Sequence, residues 1–178
     1  MKHSDAVLPD YLRPGLRVLF VGINPGLKSA AVGHHFAGHS NRFWKLLYES
    51  DLINTRLTYH EDYRLPEWGL GLTNIIGRKS ASINALDPAE YRAGLDKLEQ
   101  KIIRCQPRTV ALLGVTIFRM LFSAKGRSAG PLALGLTNAQ LAGAPVFLLP
   151  NPSGRNAHYS YQVMLTAFRT LHKEAGSQ

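Results

Sequence analysis

Three continuous apolar runs punctuate the chain: Arg17 to Gly22 (RVLFVG), Thr109 to Gly114 (TVALLG) and Pro145 to Pro150 (PVFLLP), with Gly71 to Ile76 (GLTNII) a weaker fourth. Runs this short, β-rich and bounded by turn residues read as strands buried on both faces, as in a parallel sheet. Between them the period changes. After Asp87, Tyr91, Leu95, Leu98 and Ile102 form one stripe with Lys97, Lys101 and Arg104 outside it. Asp87 caps this helix, Pro88 opens its first turn, Glu90 closes a capping box and Pro107 ends it. A second amphipathic helix is predicted from about His158 to His172, with Tyr161, Leu165, Phe168 and Leu171 inward. Ser40 to Tyr48 reads as another, capped by Ser40 or Asn41, and Val115 to Phe122 as a shorter one. Strands alternating with helices predict a three-layer α/β/α sandwich around a mainly parallel sheet. Ligands in such folds bind beyond the carboxyl ends of the strands, so the loops after Gly22 and Leu149 are where chemistry is sought.

No repeat, composition break or Pro/Gly-rich linker interrupts this pattern. The 178 residues are expected to form one domain, with 1–13 and 174–178 as flexible ends. Lys and Arg number 21 against 12 Asp and Glu, a formal charge of +9 that favours phosphate polyanions. Nucleic acid is the leading partner, although a merely soluble basic surface explains the charge equally well. No apolar run reaches the roughly eighteen residues of a membrane span, and Met1 to Asp10 lacks a signal-peptide core. No membrane partner is expected, and the location expected is cytoplasmic, on the nucleoid in a bacterium. The single cysteine, Cys105, forms no internal disulfide and cannot alone hold a metal or cluster. His34 and His35 are adjacent, without a Cys or carboxylate at ligand spacing, so neither a metal nor another cofactor is expected.

Gly22-Ile23-Asn24-Pro25-Gly26 follows the first strand and Asn151-Pro152-Ser153-Gly154 the last. Each Asn-Pro pair alone is a turn former. Together, at the carboxyl ends of buried strands, they present backbone N–H groups and neutral amides to a shared cleft.

These two loops, with GHHFAG, NRFWK, GLTNI and QPRTVALLG spaced between them, resemble the mismatch-specific uracil-DNA and thymine-DNA glycosylases, a branch of the uracil-DNA glycosylase superfamily. The resemblance runs from about Pro14 to the last helix. It implies a uracil-DNA glycosylase-like fold and a monofunctional enzyme that flips uracil, and less efficiently thymine or modified cytosine, out of a mismatch with guanine in double-stranded DNA. By the same resemblance Asn24 holds the attacking water, where other branches use Asp; its alternative role is to stabilise the turn. A neutral amide orients water but takes up no proton, which implies slow turnover. Backbone N–H groups around Gly22, Ile23 and Asn24 are suited to the charge on the departing base. Asn151 stands where the most active uracil-specific branch has His, and its role is either modest assistance or structural. Phe36 matches the aromatic on which the base stacks, with core packing as the alternative. Asn74 matches a contact to the base's polar edge, and His35 resembles thymine-active relatives. Ser29 matches the position near the pyrimidine C5 edge, where those relatives carry Ala.

Beyond Asn151 the resemblance implies a wedge made by Gly154, Arg155 and Asn156, with Ser153 on a flanking phosphate. Here the pattern departs: Arg155 stands where bacterial relatives carry an apolar plug, and Ala157 where an Arg is expected. Lys28, Arg42, Lys45 and Arg78 are candidates for phosphate contacts, each equally readable as solvated. A monomer is expected, since the wedge reaches one lesion. Two other functions fit the pattern less well. A small-molecule nucleoside hydrolase lacks a phosphate cradle here, and a non-catalytic DNA-binding module leaves the amide loops without a purpose.

Overall fold

The computed structural model describes residues 7–80, 87–124 and 132–176. The apolar runs are strands: β1 (Val18–Gly22), β2 (Leu70–Asn74), β3 (Thr109–Leu113) and, after β4 (Gly135–Leu141), β5 (Ala144–Leu149). They form one sheet in the order β2-β1-β3-β5-β4, parallel except for β4 against β5. β1 and β3 are buried at every position, which is why they carry no polar alternation. β4 escapes the sequence reading for the opposite reason. It is an edge strand of alternating exposure, poor in β-branched and aromatic residues, and joins β5 through Ala142 and Gly143, both at positive φ.

Among the described residues five α-helices flank the sheet: α1 (Leu27–Val32), α2 (Phe43–Glu49), α3 (Pro88–Cys105), α4 (Val115–Ala124) and α5 (Tyr161–Gly176). A 3-10 segment, Tyr59–Trp68, precedes β2. The capping box of α3 is formed, with Ala89 N donating to Asp87 at 2.7 Å and Asp87 N to Glu90 at 2.8 Å. α2 starts later than expected and is capped by neither Ser40 nor Asn41: Arg42 stands at its N-cap without a side-chain cap bond, while Asn41 Oδ1, one residue earlier, accepts from Phe43 N at 3.0 Å. α5 likewise starts after Ser160, whose Oγ accepts from Val163 N at 3.2 Å. Phe43 and Phe168 carry α2 and α5 onto β1, each within 6.3 Å of the Phe20 ring by centroid distance. α3 and α4 pack on each other, and α4 on β3 and β5.

The expected flexible ends need correction. Leu8 is buried, and Tyr11 pairs with Leu72 across the edge of β2 through two backbone bonds of 2.9 and 3.0 Å. Asp10 accepts from Thr73 Oγ1 at 2.6 Å and pairs with Lys101 at 2.7 Å. The unpaired backbone of an edge strand recruits the passing chain, so residues 8–12 are a strap on the sheet. At the other end α5 continues through residues 174–176, with Ala175 buried. Residues 1–6 and 177–178 lie outside the described residues.

Candidate active site

The strand order reverses around β1, whose neighbours are β2 on one side and β3 on the other, and the two loops noted in the sequence meet just beyond that point. They border a cleft of about 940 Å³. On one wall lie Gly22 to Ser29, His35, Phe36 and Asn74; on the other Gly114, Asn151 and Ser153 to Asn156.

Register explains the first wall. Gly22 is paired with Asn74 at the ends of two parallel strands, so their side-chain positions are adjacent. A Cβ on Gly22 would lie 2.6 Å from Asn74 Oδ1 and 3.9 Å from Phe36 Cζ, so a side chain at 22 would fill the space these two groups border. Asn24 is half-buried, and its Nδ2 donates to Pro25 O at 3.1 Å. That bond uses a donor of the amide and leaves Oδ1 as an acceptor.

Phe36 lies where the core meets the cleft. Its ring packs on Phe43 at 4.1 Å and also lines the cleft. Its backbone is left-handed, φ 53°, an uncommon state for a residue with a side chain. The loop around it is held from several sides. Ser29 Oγ accepts from Ala37 N at 3.0 Å, Trp44 Nε1 donates to His35 O at 3.3 Å, and His35 N donates to Asp62 at 2.8 Å. His35 Nε2 donates to Pro9 O at 2.8 Å, which leaves Nδ1 as the acceptor of the neutral ring.

Burial pushes the His35 ring below its ordinary pKa, with partial opposition from Pro9 O and Asp62. An unfolded His takes up its proton as pH falls through about 6.5, while the folded ring resists. Stability contributed by His35 is therefore complete above that value and is lost as pH falls toward the folded pKa. The Tm should drop more steeply between about pH 7 and pH 5 in the wild type than in His35→Gln. Thermal melts across that window with the same slope for both proteins would rule out a buried neutral imidazole.

The second wall is a bonded loop. Asn151 Oδ1 accepts from Ser153 N at 2.9 Å, Asn156 Nδ2 donates to Asn151 O at 2.9 Å, and Arg155 N donates to Ser153 Oγ at 3.3 Å. Asn151 therefore spends its acceptor on the turn. Arg42 ties this loop to the Phe36 side. Its backbone N donates to Pro152 O at 3.0 Å, and its Nη2 donates to Ser153 O at 2.7 Å and Asn156 O at 3.1 Å. Gly154 packs directly on Ser40, where an added Cβ would overlap Ser40 Oγ.

The basic candidates separate by place. Lys28 lines the cleft and sits over the Tyr59 ring. Lys45 lies over Tyr161 and 3.8 Å from Glu49. Arg78 is ion-paired with Glu90, and Arg155 is exposed at the cleft. The sequence reading missed Leu8, which lines the cleft, Pro9, and above all Asp62. An Asp within the polar run His60 to Arg64 carries no local sign that it turns inward.

An open cleft at the carboxyl ends of parallel strands, lined by neutral amides and the Phe36 ring among others, lies where doubly wound α/β domains bind their ligands. The chain belongs to the uracil DNA glycosylase superfamily, which it matches over residues 9–172. Its fold is similar to a solution NMR structure described as "a putative Uracil DNA glycosylase from Methanosarcina acetivorans". The TM-score is 0.55 at 16% identity, covering 94% of this chain and 98% of the other, a likeness of fold. Superfamily membership supports a DNA glycosylase of base-excision repair, a hydrolase whose partner is DNA containing uracil.

Proposed function

We propose that this protein is a monofunctional, mismatch-specific glycosylase that acts as a monomer on uracil opposite guanine in double-stranded DNA. It flips the uracil into the cleft and hydrolyses the N-glycosidic bond, leaving an abasic site; thymine and modified cytosine follow more slowly. The observation that carries this reading is the convergence of the Asn24 amide, the Phe36 ring and the Asn74 amide on one cleft, with the loop Asn151 to Asn156 across from them.

Each group has a task that suits its chemistry. Phe36 stacks on the flipped base, and Asn74, which both donates and accepts, meets its polar edge. Asn24 Oδ1 accepts from a water and aims its lone pair at the anomeric carbon. The new C–O bond forms as the C–N bond breaks, the electron pair leaves with the base, and the water's proton passes to solvent. Backbone N–H groups of Ile23 and Asn24 stabilise the departing anion. Arg155 fills the gap in the duplex, and Ser153 and Lys28 hold flanking phosphates.

The test uses labelled duplexes with a single G·U pair beside free deoxyuridine. Alkali-labile abasic sites from the duplex, with no base released from the nucleoside, support the reading. Equal release from deoxyuridine points to a small-molecule hydrolase, tight duplex binding without excision to a binding module, and strand breaks without alkali to a lyase.

Substrate choice rests on Ser29. Its Oγ already accepts from Ala37 N, so the hydroxyl hydrogen needs an acceptor; beside the C5–H of uracil a water can serve, whereas a thymine methyl takes that water's place and offers none. An unmet buried polar group costs about 1 to 3 kcal/mol. The wild type should therefore excise uracil from G·U roughly ten- to a hundred-fold faster than thymine from G·T. Ser29→Ala also removes the partner of Ala37 N, so both rates fall and only their ratio reports on discrimination. That ratio should shrink under single-turnover conditions; a ratio that stays put dismisses Ser29.

A further inference from the structure

The 3-10 segment Tyr59–Trp68 carries four charged side chains within seven residues, and they divide sharply. Glu61, Arg64 and Glu67 pair with one another at the surface, with Arg64 within 3.2 Å of both carboxylates. Asp62 is fully buried instead. Its Oδ1 accepts from Tyr11 OH at 2.8 Å and faces His34 Nδ1 at 3.0 Å, while its Oδ2 accepts from His35 N at 2.8 Å. A carboxylate has only acceptors, so all three partners meet it as donors. Burial and the neighbouring carboxylate push the Tyr11 phenol well above its ordinary range, which keeps it a donor.

Those partners are not arbitrary. His34 and His35 immediately precede Phe36, whose left-handed backbone side chains normally avoid. Tyr11 belongs to the strap whose Pro9 carbonyl fixes the His35 ring and whose Leu8 lines the cleft. One buried carboxylate thus joins the strap, the 3-10 segment and the cleft loop.

We propose that Asp62 is a positioning residue of the base pocket: it clamps residues 34–35 and the Tyr11 strap so that Phe36 is presented to the cleft before DNA arrives. The proposal deepens the glycosylase reading and rests on it for the meaning of the cleft. Asp62 touches neither base nor water; it acts through the loop.

Trp44 offers a direct probe, because its Nε1 donates to the carbonyl of His35. The only other tryptophan is Trp68, so a W68F background isolates it. In that background Asp62→Ala should increase acrylamide quenching of Trp44. It should also slow single-turnover excision from G·U by about ten-fold or more, the scale of orphaning one buried amide donor. Duplex affinity should stay within about three-fold, because phosphate contacts set it. Asp62→Asn should recover most of the rate. Its amide oxygen still accepts from His35 N, and its NH2 donates to the Tyr11 oxygen and to His34 in its other tautomer. Leu98→Ala, in the core of α3, serves as a control for lost stability below its Tm.

Excision by Asp62→Ala at the rate of that control, loss of duplex affinity in step with rate, or unchanged Trp44 quenching would each overturn the proposal. If Asp62→Ala does not fold, Tyr11→Phe removes one donor and should give the same signature at roughly a few-fold. Wild-type rate and quenching in that variant overturn it as well. A wild type that excises nothing defeats the glycosylase reading, while the quenching of Trp44 still decides whether Asp62 holds the loop.

Discussion

Asn24→Ala should reduce single-turnover excision from a G·U duplex by about three orders of magnitude, the scale at which one well-positioned group contributes. Duplex affinity should stay within a few fold, because phosphate contacts, which dominate it, lie elsewhere. Asn24 has a second job in the structure, the bond from its Nδ2 to Pro25 O, so a loss of turn geometry must be separated from a loss of water. Asn24→Asp makes the separation. It loses the Nδ2 donor as Ala does but keeps an acceptor at Oδ1, and a carboxylate further offsets oxocarbenium charge. If the water is what matters, Asp retains excision where Ala does not. Equal failure of both substitutions would assign Asn24 to the turn, and a parallel fall in binding would remove it from catalysis altogether.

Arg42→Ala should lower excision from stable duplex by about ten- to a hundred-fold, with a much smaller effect on uracil in single strands. Its guanidinium donates to the carbonyls of Ser153 and Asn156, and hydrogen bonds to a charged donor contribute about 1.5 to 3 kcal/mol each. Their loss frees the loop that carries Arg155, the side chain proposed to fill the gap in the duplex, and a duplex needs that wedge more than a single strand does. The alternative is the phosphate contact expected from the sequence. Arg42→Lys discriminates, since Lys keeps the charge but not the planar fork. Under the loop role Lys is nearly as poor as Ala and the salt dependence of binding is unchanged. Under the phosphate role Lys substitutes well, and Ala reduces the slope of log K against log salt by about one.

The elements of this protein are written locally. Unbroken apolar runs mark β1, β3 and β5, because a strand covered on both faces leaves no position for a polar residue. The start of α3 is legible because a cap, a proline and a capping box lie within four residues, Asp87 to Glu90. The two Asn-Pro loops could be placed at one cleft for a topological reason: strands that run parallel bring their carboxyl ends together. β4 shows where local signal runs out, since an edge strand with one solvated face and a tight turn built on Ala142 resembles a loop.

Which side chains meet inside the cleft is decided over longer distances along the chain. Asp62 reaches His34 across 28 positions, and Arg42 reaches Ser153 across 111. In sequence, Asp62 is indistinguishable from its solvated neighbour Glu61, and Arg42 from any surface base; burial alone separates them, and burial is a property of the packed chain. The same holds for residues 8–12, which read as a loose end yet find an open strand edge at Leu72. The sequence by itself determined β1, β2, β3, β5 and α2 to α5, their layering and the position of the Asn24 and Asn151 loops, because periodicity, caps and turns act within a few residues, but not β4, α1 or the 3-10 segment. Only the tertiary structure decided the strap, the Asp62 clamp and the Arg42 bridge, because each depends on a polar group being taken out of water by elements distant in the chain and satisfied there.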